Sequence, residues 1–142
     1  MASLSHEQVA PRRLLWVGPL TIACVVIANL LIRALAVAFL GVSDSFQSLQ
    51  PPSIIGSSCI FLLLALLIFW LVSRSARRPI RLFRIIALTL LVLSLLTPVM
   101  ALIGIFPLPG MNMSIFWTMI AMHLVSGAIA IGLLTTLTQQ QS

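Results

Sequence analysis

The chain has 142 residues, of which 61% are hydrophobic and only 7% charged, against about a quarter charged in a typical soluble domain. Too few polar residues remain to cover a water-soluble surface, so an ordinary globular core is excluded and the bilayer takes the place of solvent. The formal charge of +6 comes from eight basic residues, all Arg, against Glu7 and Asp44; they sit at the ends of apolar runs without aromatic or polar partners, which argues against nucleic-acid binding and makes membrane phosphates the expected counter-charge.

In chain order, residues 1–11 read as a polar tail, and Arg12 and Arg13 follow at the mouth of the first apolar run. That run covers about 14–40, with Asn29 and Arg33 inside it and Pro19 near its start. Its uninterrupted part, Leu14 to Ile32, is 19 residues long, beyond the roughly 7 to 15 of a signal-peptide core, so it is expected to stay as an uncleaved span. Gly41 to Pro52 forms a turn-rich connection, and the second run, about 53–72, carries no charge. The stretch SRSARRPIRLFR from Ser73 to Arg84 contributes Arg74, Arg77, Arg78, Arg81 and Arg84, and Pro79 suits the first turn of the next helix. The third span, about 80–106, contains Thr97 and Pro98, and Pro98 is expected to kink it and free the carbonyl of Ser94 for Thr97 or His123 to satisfy. A second connection, Pro107 to Met113, leads to the fourth span, about 114–137, with His123, and to a short polar tail, 138–142.

Each run reaches the roughly 20 residues a bilayer needs, and none alternates like a barrel strand, so the expectation is an all-α, integral membrane, antiparallel four-helix bundle in one domain over 12–137. The arginines then set the orientation: Arg12, Arg13 and the 74–84 cluster belong on the cytoplasmic side, which places both the N and C termini there. Trp16 and Trp70 at the inner boundary and Trp117 at the outer one agree with an interfacial belt.

Depth counted along ideal helices, about 1.5 Å per residue, puts Asn29, Arg33, Thr97 and His123 in one polar layer of the outer half, with Arg33 roughly 10 Å deep. As a functional layer these four residues would form a ligand-binding pocket open to the outside, Arg33 taking an anion or polar headgroup and His123 exchanging a proton. The structural alternative is that Arg33 snorkels outward or folds back onto Asp44, while His123 braces a neighbouring helix. The 74–84 arginines are expected to contact anionic lipid, with orientation as their first duty. Cys24 and Cys59 lie at different depths within apolar runs and His6 lies on the tail, so no metal, haem or other cofactor and no disulfide is expected. Ser126 with Ala130 and Ala128 with Gly132 are small residues at helical spacing that allow a close helix approach, within the chain or in a homo-oligomer.

With these motifs assembled, the chain resembles a family of small bacterial four-span membrane proteins classed as a domain of unknown function. The resemblance runs over nearly the whole chain and rests on PRRLL at 11–15, Asn29 and Arg33, ARRPIRLFRIIAL at 76–88 and MHLVSGAIAIGLL at 122–134. It implies a bacterial plasma (inner) membrane location and a four-helix fold, and carries no established reaction, ligand or catalytic residue. Small four-span drug exporters are poor matches, since no Asp or Glu lies within a span to couple protons. The expectation is therefore a structural or regulatory membrane component rather than an enzyme, with lipids and a protein partner or a second copy as its contacts. The alternative is a small transporter or channel component using the outward-facing polar layer.

Overall fold

A computed structural model describes residues 9–139; His6, Glu7 and the outer parts of both expected tails lie outside the described residues. The helices are α1 (Pro11–Phe39), α2 (Pro51–Ser75), α3 (Pro79–Ser94), α4 (Leu96–Leu102) and α5 (Met113–Leu137), with one 3-10 turn at Gln47–Leu49 between α1 and α2. Among the described residues, four helical stretches are long and apolar enough to cross a membrane, the third being α3 and α4 together, Pro79–Leu102. The protein is an all-α, multi-pass membrane protein, as its composition requires.

Local chemistry sets the helix limits. α1, α2 and α3 each begin with Pro in the first turn, where its missing N–H is one of the groups a helix leaves unpaired anyway. α5 begins instead at Asn112, whose side chain accepts a hydrogen bond from the Ile115 amide at 2.9 Å, a conventional cap. Gly41 and Gly104 follow the ends of α1 and α4 with φ of 65° and 81°, the left-handed turn that stops a helix.

The third span breaks where Pro98 was expected to kink it and stops short of its expected end. Its helix ends at Leu102 rather than near residue 106, and the break comes at Leu95, three residues before Pro98. A proline ring collides with the carbonyl four residues back, here Ser94, so the helix parts at that point and resumes as α4 with Pro98 in its first turn. Neither Thr97 nor His123 bonds the Ser94 carbonyl among the described residues; the Ser94 hydroxyl turns back to the Leu91 carbonyl at 2.7 Å.

Around the bundle α1 packs on α2 and α5, α3 packs on α2 and α5, and α2 and α5 barely meet across the middle. α4 continues against α5. The buried apolar residues form two larger clusters at the ends and a thin one between. Val17, Phe69, Val72, Phe83 and Leu134 fill the end that carries the 74–84 arginines, which we call the arginine end, where the Phe69 and Phe83 rings meet edge to face at 4.8 Å. Ala36, Val42, Phe46, Leu49, Ile54, Ile115 and Met122 fill the far end. Only Val25, Leu62 and Ala130 occupy the centre.

At the arginine end the chain's two ends are clasped. The Ala10 amide donates to the Thr138 carbonyl at 3.0 Å, Val9 forms a bridge with Gln139, and Arg13 donates to the carbonyl of Gln139 at 2.8 Å. Residues 9–10 and 138–139 are thus tied together, and the Arg13 cation sits where the α5 dipole is negative.

A lateral groove with a polar belt

The thin centre of the bundle adjoins a cavity of about 510 Å³, inside the range of roughly 300–1,000 Å³ usual for small-molecule sites. α2, α3 and α5 form its walls, with Val25 and Asn29 of α1 behind. Phe61 and Leu64 of α2 and Leu90 and Leu93 of α3 line it while remaining exposed, so the cavity is a groove whose lips face the membrane. α2 and α3 touch through Phe69 and Phe83 next to their connecting turn, and α4 leans onto α5. The two helices therefore hold together at the arginine end and leave the groove between them beyond it.

Sequence shapes the interior of that groove. Ala65 and Ala87 line it where their neighbours in both helices are mostly large, and their small side chains leave space. Gly127 lets α3 approach α5: a Cβ added there would come within 2.7 and 2.9 Å of the Leu91 methyl carbons.

Across the groove runs a belt of neutral polar groups from four helices. Asn29, only 6% exposed, donates from Nδ2 to Ser58 Oγ at 3.2 Å and to Ser126 Oγ at 3.0 Å. The Ser126 hydroxyl also lies 3.2 Å from Asn29 Oδ1. One amide thereby ties α1 to α2 and α5. His123, one turn from Ser126 on α5, lines the same groove half-buried and makes no hydrogen bond among the described residues. Ser57 and Ser94 complete the belt with hydroxyls already bonded to the carbonyls of Ser53 and Leu91, each at 2.7 Å.

Over residues 9–140 the chain matches a family described as being of unknown function, DUF6069. The chain belongs to the DUF6069 family. No curated protein and no solved structure matches it.

Of the layer expected from sequence, this DUF6069 chain brings Asn29 and His123 to the same groove and leaves Arg33 and Thr97 out of it. The Arg33 guanidinium donates from Nε to the Leu49 carbonyl at 2.6 Å and pairs through Nη2 with the Asp44 carboxylate. It clamps the α1–α2 connection onto α1, one helical turn beyond Asn29, folding back onto Asp44 as the structural alternative had it. Thr97 is exposed on α4, just beyond the break at Leu95. Depth along a helix does not determine which way a side chain faces.

Arg74, Arg77, Arg78, Arg81 and Arg84, for which anionic-lipid contact was expected, all lie on the surface. Arg74 stacks on Trp70, 4.3 Å from the ring centroid, and Arg84 donates to Thr135 Oγ1 of α5 at 3.2 Å. Such contacts hold two of the five heads close to the protein. Cys24 and Cys59 are free thiols on different helices. The small residues of α5 divide between two faces. Ser126, Gly127 and Ala130 line the groove, whereas Ala128 and Gly132 are exposed.

Proposed function

We propose that this protein is a non-enzymatic component of the bacterial inner membrane that holds a lipid-class molecule in the groove between α2 and α3. The observation that carries this reading is the groove itself: about 510 Å³ of mostly apolar space, open toward the medium that surrounds four membrane-spanning helices. Acyl chains are the most abundant molecules that can enter from that direction, and filling the space recovers the packing its walls otherwise lack. A non-enzymatic role is supported by the makeup of the belt, an amide, hydroxyls and a single imidazole, with no carboxylate or thiol beside them in the lining. In this reading the arginine end faces the cytoplasm, where its exposed guanidinium groups meet anionic headgroups at about 1 kcal/mol each.

Native mass spectrometry of the protein released from membranes in mild detergent tests the proposal. A stoichiometric lipid adduct is expected, and it should disappear in Ala65→Phe and Ala87→Phe, which fill the groove from opposite walls. A lipid-free protein, or an adduct that survives both substitutions, would contradict the assignment.

A further inference from the structure

Resting on the lipid-groove reading, the arrangement of donors and charges specifies the kind of head the occupant carries. We infer that it is an uncharged, hydrogen-bond-accepting group, a carbonyl or ester oxygen on a long apolar chain, bound at the belt by His123 and Ser58 with the chain running toward the arginine end.

Charge selects a neutral head. Among the described residues, no Arg, Asp or Glu lines the groove. Arg33, the cation nearest the belt along α1, is committed to the Leu49 carbonyl and Asp44. An anionic head in the groove would be a buried charge without a counter-ion, which costs far more than desolvating a neutral acceptor.

Hydrogen-bond capacity selects an acceptor. Ser57 and Ser94 have spent their protons on backbone carbonyls. Ser58 accepts from Asn29, and a hydroxyl that accepts one bond still has its own proton to donate. The imidazole of His123 has its N–H to donate and no partner among the described residues. Ser48 also lines the groove but sits exposed on the 3-10 turn at its far mouth; at the belt the two unused donors are Ser58 and His123, and an acceptor between them would satisfy both.

Position limits how polar that acceptor can be. Ser58 lies seven residues into α2, and His123 ten residues into α5, so the belt is on the order of 10–15 Å from the far helix ends at 1.5 Å per residue. A zwitterionic or phosphate head would have to abandon its hydration to reach that depth, whereas an ester or ketone oxygen enters hydrocarbon cheaply. Past the belt the lining is apolar throughout: Leu62, Ala65, Ile68, Ile86, Ala87 and Ala130. From Ser58 to Ile68 that wall runs roughly 15 Å, about the thickness of one hydrocarbon leaflet, enough for a single extended chain.

The test uses the full-length protein in phosphatidylcholine vesicles containing dioleoylglycerol with a diazirine in one chain, read by mass spectrometry of the cross-linked peptides. Labelling is expected between Ala65 and Ile68 and between Ile86 and Leu90, strongest for the neutral probe and weak for diazirine-bearing oleate or phosphatidylglycerol. His123→Phe, which keeps ring bulk, and Ser58→Ala should each weaken it about five- to tenfold, the loss of one neutral hydrogen bond. Unlabelled dioleoylglycerol and ubiquinone serve as competitors: success of either supports the carbonyl class, and the stronger one identifies whether an ester or a quinone is the source. Equal labelling by the charged probes, or labelling indifferent to both substitutions, overturns the head assignment and leaves the lipid groove standing. No labelling of these segments by any probe overturns the lipid groove itself.

Discussion

Replacing Asn29 by Ala measures how much of the bundle's cohesion depends on the belt. The native amide donates one bond to α2 and one to α5, at 3.2 and 3.0 Å. Interhelical hydrogen bonds within membranes contribute about 0.6 kcal/mol on average and at most about 1.7, so the two together are worth roughly 1–3 kcal/mol. The cost of the substitution falls below the upper value, because the freed Ser58 and Ser126 hydroxyls can turn back to their own helices as Ser57 does with the Ser53 carbonyl at 2.7 Å. The assay is reversible unfolding in mixed micelles, applied as a double-mutant cycle. Asn29→Ala with Ser126→Ala should show a coupling of about 1 kcal/mol, beyond the roughly 0.3–0.5 expected of independent sites. Asn29→Ala with Thr97→Ala should be additive, since Thr97 is exposed on α4. Additivity in the first pair, or coupling in the second, would refute the three-helix tie and restore the four-residue layer.

Three further outcomes are expected from the same geometry. Asp44 is 75% exposed and Arg33 only 18%, so Asp44→Asn should cost under about 1 kcal/mol of unfolding free energy, and Arg33→Met, which also loses the bond to Leu49, about 2; equal costs would deny the carbonyl its role. Gly127→Ala puts a methyl 2.7 and 2.9 Å from the Leu91 methyl carbons, and the Leu91 side chain should swing into the groove, with retained lipid falling while thermal stability changes little; an unchanged lipid content would show that α3 moves instead. In a variant lacking Cys24 and Cys59, a membrane-impermeant maleimide should label Ser75→Cys only from the cytoplasmic face and Gln47→Cys only from the opposite one, and the reverse pattern would invert the orientation.

Much of the architecture was written in local sequence. Apolar runs set off by Pro11, Gly41, Pro51 and Pro79 locate most helix limits to within a few residues, because proline and glycine act through the backbone alone, whereas the third span was carried past Gly104, where the helix has already ended. Asn29 and His123 could be grouped because depth depends only on counting. Ser58 was not foreseen as a partner of Asn29, since serine is commonplace in such helices and nothing in a linear count gives rotation about the axis. The Arg33 pair with Asp44 was one of the alternatives open from sequence, but the guanidinium's second anchor was hidden for a related reason. Its partner at Leu49 is a backbone carbonyl, identical in every residue, delivered by a connection whose path depends on Phe46 and Leu49 burying themselves at the far end. The Arg13 contact with the end of α5 is likewise a bond to backbone oxygens, invisible until both ends of the chain are in place. The groove arises from spacing between α2 and α3, and its one sequence trace is the pair of alanines, Ala65 and Ala87, among larger neighbours.

Whether a lipid occupies that space is decided most directly by a high-resolution structure of the protein in lipid nanodiscs. Elongated density is expected between α2 and α3, running beside Ala65 and Ala87 from Ser58 to Ile68, with its polar end within hydrogen-bond distance of His123. A closed groove, with Phe61 and Leu64 packed onto Leu90 and Leu93 and no density between them, would contradict the lipid assignment.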